Sequence, residues 1–489
     1  MNRRASRVAS PRHPRRPRSL WLALAPAALA AGCGSDPAGD PAPTAAPVGP
    51  PAVPIADAYL NQKPAEGARG GLIEAPGPDG RPAATTAALT EAALYYDTLG
   101  RPLAPGESAP ATLQAWKDAF GFPPPAPGES LQTYRDRTGI AIYYNVNELG
   151  LGRELGCQRF VDGYDANGQP VYGEACFVTN YGLEWQGGER SLEDAIAGVN
   201  KKNTVCITYR PLLKPGGRDG YEVQFYVYNQ DDARQEWAEL DTLGPRPVPQ
   251  VCTGCHGGTY DPETHLTRYA RFLPAFPDLL AFADGPDAAP GVTRAGQEER
   301  LRALNEVATR SPLTPLQREA LAGAYPAGLT TPGATFAPGW APPGWSDTPT
   351  HRDLYDRVAR PYCLTCHAAE ERDLAGQPQR SYTMFESYEA FIQTPLAAYV
   401  CGSFSMPNAQ PTMQRFWDSP EPVEVRDASG APIAYPSAAD ALLASLGLTR
   451  ADCDGLAAMS DCRDRGDAVC GDAASGMVCG ASGRCEKAP

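Results

Sequence analysis

From Tyr221 to Asn229, Val223, Phe225 and Val227 alternate with Glu222, Gln224 and Tyr226, the period-two pattern of a strand. Ile140–Val146, Phe177–Tyr181 and Val205–Tyr209 are similarly rich in β-branched and aromatic residues. Leu89–Leu99 and Ala111–Phe120 instead place their apolar residues at helical spacing. Residues 86–244 therefore read as one β-rich α+β domain. Asn167-Gly168 is a hairpin turn signal, and Cys157 and Cys176 flank it almost symmetrically. The expectation is a disulfide across that hairpin, worth about 3 kcal/mol in the chain-entropy account. Asn145, Asn147, Glu148 and Glu154 stand near a strand end and read as surface-loop polarity rather than a catalytic set.

Beyond residue 244 the pattern changes. Pro245, Pro247 and Pro249 forbid a helix, so the chain is expected to run extended into Val251. Gln297–Val307 sets Leu301 and Leu304 on one helical face. Thr314-Pro315-Leu316-Gln317 reads as an N-cap, a proline at the first helical position and a capping box, with Gly323 as the stop. Thr330–Pro349 is a Pro/Gly-rich connection. Thr350–Arg360 predicts a helix ended by Pro361, and Ser437–Leu446 a helix opened by Ser437 and Asp440 and stopped by Gly447.

Residues 1–18 carry seven Arg and no acid, followed from Leu20 to Ala31 by an apolar run too short to span a bilayer. That is a secretory signal. It ends Leu29-Ala30-Ala31-Gly32-Cys33, which resembles a bacterial lipobox. The resemblance implies a diacylglyceryl anchor on Cys33, and Gly34 in place of Asp favours the outer membrane. Residues 33–85 are rich in Pro, Ala and Gly without an apolar period, the composition of a disordered tether. The whole chain has a net charge of −14, which argues against a nucleic-acid partner. Fourteen cysteines point to an oxidising compartment.

Two short segments then dominate the chemistry: Cys252-Thr253-Gly254-Cys255-His256 and Cys363-Leu364-Thr365-Cys366-His367. Both read C-x-x-C-H. A chain with five histidines would rarely show that pattern twice by chance. Two thiols at this spacing can each add to one vinyl group of a haem, and the adjacent imidazole then reaches the iron. A thioredoxin-like site would need a βαβ setting, which neither copy has. A single zinc site would draw on both Cys-x-x-Cys pairs, 111 positions apart, and would leave both histidines unexplained. The expectation is two haem c groups, held by Cys252, Cys255 and His256 and by Cys363, Cys366 and His367.

Around the second motif the chain resembles class I cytochrome c over about residues 350–448: a helix leading into C-x-x-C-H, a loop carrying Met406-Pro407, and a closing helix. The resemblance implies Met406 as sixth ligand to that iron, with Met384 and Met413 as substitutes. Pro407 agrees with it physically, because it holds Met406 extended. The first motif departs from the pattern, and its sixth ligand stays open between His265, His351 and none. Gly257-Gly258 after it would let backbone approach a porphyrin. Residues 451–489 hold Cys453, Cys462, Cys470, Cys479 and Cys485 with few apolar residues, the composition of a disulfide-stapled tail to which Cys401 could pair.

The expected architecture is therefore multidomain: the α+β domain, two mostly α-helical cytochrome c-like haem domains at 245–345 and 346–450, and the Cys-rich tail. The expected function is single-electron transfer by an exported, lipid-anchored dihaem cytochrome, with redox partners in the periplasm or at the membrane. The alternative is a dihaem peroxidase-like enzyme with an open first site.

Overall fold

The computed structural model describes residues 86–103, 106–145, 148–182, 188–238, 245–283, 288–369, 385–393 and 438–452, with shorter pieces between and beyond them. Helices α1 (Thr86–Leu103), α2 (Leu113–Ala119) and α3 (Leu131–Thr138) precede a five-stranded antiparallel sheet. Local chemistry sets their ends. Thr112 Oγ1 accepts the Ala115 amide at the start of α2, Ser130 does the same for Thr133 in α3, and Gly139 closes α3 in the left-handed region at φ 69°.

The sheet is a meander in chain order: β1 (Ala141–Tyr144), β2 (Gly152–Tyr164), β3 (Pro170–Tyr181), β4 (Lys201–Tyr209) and β5 (Val223–Asn229), with α4 (Gly188–Ala197) between β3 and β4. Cys157 and Cys176 stand directly opposite each other on β2 and β3 and are disulfide-bonded. Strand β2 escapes a pattern search, because its sequence is rich in Gly, Arg, Glu and Gln. Strand β5 is buried on both faces from Val223 to Tyr228, not on one as its alternation suggests. Its open edge is closed by α1. Tyr95 Oη donates to the Phe225 carbonyl at 2.9 Å and accepts the Phe225 amide at 2.6 Å, and Tyr96 Oη accepts the Val227 amide at 3.1 Å. Two tyrosines thus supply the ladder partners that a sixth strand would.

Glu154 is a core residue, not a loop residue. It pairs with the buried Arg135 of α3 and accepts a 2.5 Å hydrogen bond from Tyr181, while Arg135 also donates to the carbonyls of Ala195 and Ile196 at 2.6 Å. Asn145 and Glu148 form a smaller network with Arg153, and Asn147 lies outside the described residues.

Among the described residues, the chain beyond β5 does not divide into two mostly helical haem domains. It forms α5 (Gln250–His256), then a short hairpin of β6 (Thr259–Asp261) and β7 (Leu266–Arg268). Val248, Val251, Cys252, Tyr260 and Leu266 belong to the same buried core as Tyr95, Phe225 and Tyr226. The first motif is therefore built onto the sheet, and the reason is packing: α5 is too short to bury an apolar face by itself and uses the sheet's core instead. Helices α6 (Arg294–Thr309) and α7 (Pro315–Ala324) come next. Helix α6 packs on β1 and β2. The capping box at Thr314 and Gln317 forms as its sequence implies, with both bonds present. Gly323 does not stop α7, which continues to Ala324; a Cβ at 323 would run into the Trp340 ring, so that glycine serves close packing.

The second motif has its own core of Trp345, Leu354, Tyr355, Val358, Phe385, Phe391 and Leu442. Helix α7 links the two cores, contributing Leu316 to one and Leu321 and Ala324 to the other. Pro361 does not end the approach to Cys363. Helix α8 (Pro349–Leu354) widens into a π-helical stretch, Tyr355–Leu364, that runs through Pro361 and leads directly into α9 (Thr365–His367). The wider turn accommodates a residue that lacks an N–H. Helices α10 (Tyr388–Gln393) and α11 (Ala438–Ser445) complete this part, and Gly447 takes φ 70° just beyond α11. All the described residues lie within one compact unit. In the tail a small hairpin pairs Met477–Cys479 with Cys485–Lys487, placing Cys479 opposite Cys485.

Candidate functional site

The two C-x-x-C-H segments meet. Helix α5 carries the first and α9 holds Cys366 and His367 of the second, and the two helices approach to within 8 Å, Cα to Cα. Bonds on either side hold this approach. Arg360, three residues before Cys363, makes a two-pronged ion pair with Asp278 at 2.5 and 2.8 Å. Thr314 of the α7 cap donates to the Ala368 carbonyl at 2.6 Å, just past His367, while Gln317 donates to the Phe272 carbonyl at 2.9 Å, just past Arg271. One cap therefore touches the chain beside both motifs.

At the first motif, Val251, Cys252 and Thr253 are buried, while Cys255 and His256 are half-buried. His256 Nδ1 lies 2.7 Å from the Arg271 carbonyl, which can only accept, so Nδ1 carries the proton and Nε2 keeps its lone pair. The ring leans on Phe225, with centroids 5.0 Å apart. Burial pulls the imidazole pKa down, opposed by the carbonyl bond, so the neutral form is favoured. A neutral imidazole with Nδ1 fixed by backbone is the form that ligates a metal. Burial also pushes the Cys252 thiol well up.

At the second motif, burial pushes the Cys363 thiol up to about 12, and its Sγ lies 3.8 Å from the Val358 carbonyl. His367 stacks on Phe385 at 4.2 Å. None of the four motif cysteines is in a disulfide among the described residues.

The donor geometry bears on the shared-zinc alternative. Among the described residues, Asp347, His351 and Glu389 are the group whose donor atoms lie within 4.8 Å of one another; no three donors from the two motifs do. The motifs are thus neighbours without forming one four-cysteine cage. Each instead presents two thiols and one imidazole, the donor set that covalent haem attachment needs.

Gly257 and Gly258 both take positive φ, 66° and 71°. A Cβ at Gly258 would strike the backbone of Arg268 to Ala270, so this glycine serves the approach of β7 and the segment after it. His265 has its Nδ1 3.0 Å from Tyr260 Oη and 3.4 Å from a Glu91 oxygen. His351 has its Nδ1 2.7 Å from Asp347 and stacks on Tyr388. In each, the partner of Nδ1 is a residue outside the motifs. Met384, Met406, Met413, Cys33, Cys401 and Cys453 lie outside the described residues. The residues that sequence reading missed are the ones that join the sites: Arg271, Asp278, Arg360 and Thr314. Only Thr314 carried a local signal, and that signal spoke of a cap.

Comparison with protein-family models, with curated proteins and with solved structures finds no match to this chain. Among the described residues no helix is long and apolar enough to cross a membrane.

Proposed function

We propose that the protein is an exported dihaem c-type cytochrome, lipid-anchored through Cys33, that passes single electrons to and from partners in the periplasm or at the membrane. Cys252 and Cys255 attach one haem and Cys363 and Cys366 the other, with His256 and His367 as proximal ligands. When bound, each haem supplies a one-electron couple. The chain's own contribution is to hold a neutral imidazole at fixed orientation, to shield the attachment thiols (Cys252 fully, the other three in part), and to keep the two sites side by side. The contact between α5 and α9 is the observation that carries this reading. Two attachment motifs 111 residues apart in sequence are brought side by side, as passage of an electron between their occupants requires.

Expression with a haem-maturation system tests the premise. The expected result is a mass gain of two haems; no gain in a competent host ends the reading. Met406 is proposed as the sixth ligand of the second haem, and Met406→Ala should turn that haem high-spin and lower its potential. The enzyme reading, a dihaem peroxidase, differs in one respect, an open sixth position at the first haem. Two low-spin EPR signals in the oxidised protein would exclude it.

A further inference from the structure

We propose that Asp347, His351 and Glu389 form a binding site for a divalent transition-metal ion of the zinc class, separate from both C-x-x-C-H motifs. One donor atom from each residue lies within 4.8 Å of the other two. The donors come from two segments that are about 40 residues apart in sequence and are tied together before any ion arrives. Gly344 bridges Ser387, the Tyr388 amide donates to the Gly344 carbonyl at 3.0 Å, and Trp345 Nε1 donates to the Phe385 carbonyl at 2.8 Å. The His351 ring is fixed too, lying nearly parallel on Tyr388 with 3.6 Å between centroids.

Charge points the same way. Neighbouring acids have cationic partners: Asp356 pairs with Arg352 and Asp353 with Arg357. Among the described residues, no Lys or Arg bonds Asp347 or Glu389. Two carboxylates are thus gathered around one imidazole with no fixed cation to balance them. An imidazole with two carboxylates suits Zn2+ and its neighbours, while Ca2+ and Mg2+ select oxygen donors alone. Exposure of Asp347 and Glu389 leaves further coordination positions to water.

The ion would staple the start of α8 to the first turn of α10. The segment it secures begins at Phe385, whose ring stacks on His367. The proposal does not depend on haem, because its ligands belong to neither motif.

The test is calorimetric titration of ZnCl2 into the EDTA-treated full-length protein, its free thiols capped with N-ethylmaleimide so that the motif cysteines cannot bind zinc whether or not haem is loaded. One saturable equivalent is expected, weakened about tenfold or more in His351→Gln and in Glu389→Gln. Zn2+ should raise the melting temperature of the parent protein and leave both variants unmoved. Far-UV circular dichroism of the metal-free variants checks that they are folded, and the exposed Glu389→Gln serves if His351→Gln is not. Absence of a saturable equivalent, or one that persists unchanged in a folded variant, overturns the site.

Discussion

His256 and Arg271 exchange two hydrogen bonds: the imidazole Nδ1 donates to the Arg271 carbonyl at 2.7 Å, and the Arg271 amide donates to the His256 carbonyl at 2.8 Å. The reciprocal pair fixes both the tautomer and the plane of the ring, so Nε2 is set for a ligand without a carboxylate partner.

That arrangement makes the two motifs separable by mutation. On the proposed dihaem reading, His256→Ala should cost the protein one haem equivalent and leave the other, and His367→Ala should do the converse. Pyridine haemochrome absorbance per mole of chain checks it, with about half the parent value expected for each variant. Full loading in either variant would show that the histidine is not required for its own site.

Tyr95 offers a prediction about the sheet that carries the first motif. Its hydroxyl satisfies both the amide and the carbonyl of Phe225 on the edge strand β5. Tyr95→Phe keeps the ring and strands two buried backbone groups. The expected loss is about 2 kcal/mol in urea unfolding. The same substitution at exposed Tyr164 should cost within about 0.5 kcal/mol.

Arg135 and Glu154 form an ion pair with almost no exposure of the arginine. Arg135→Ala leaves the Glu154 carboxylate buried beside Tyr181 without a cation, and should destabilise the protein by about 3–5 kcal/mol. Adding Glu154→Gln should recover part of that loss, because the stranded charge is the larger share of it. An unchanged double variant would place the cost instead in the lost bonds to Ala195 and Ile196.

What could be read from the sequence was local. The Thr314–Gln317 capping box lies within one helical turn, and the Cys157–Cys176 pairing follows from a turn signal midway between its ends. What could not be read was long-range. Glu154 resembles any polar residue near a strand end until Arg135 and Tyr181 are brought to it. Pro361 looks like a helix stop because the rule assumes an α-turn, and the chain widens to a π-turn. Separate helical haem domains were expected because clear helix signals, at Gln297–Val307 and Thr314–Gln317, follow the first motif. The core shows instead that Val251 and Cys252 pack with Phe225 and Tyr226.

Glu174 gives the last prediction, a pH dependence. It is almost fully buried on β3, its Oε2 has no hydrogen-bond partner among the described residues, and Arg310 and Arg159 stand off its other oxygen at 3.6 and 3.8 Å. Burial pushes its carboxyl up to about 7, against the pull of Arg310 and then Arg159. An unfolded glutamate titrates near 4.3. Between those values the folded state holds the proton that the unfolded state releases, so this group's contribution is full below about pH 4 and is lost as pH rises through 7. The total swing is up to about 4 kcal/mol, from roughly 2.7 units at 1.36 kcal/mol each. Glu174→Gln removes the ionisation and should flatten the dependence of the urea midpoint on pH between 4.5 and 7. It should leave the protein more stable than its parent at pH 8, where the parent carries a desolvated carboxylate. A variant that keeps the parent's slope would mean that another group titrates in this window.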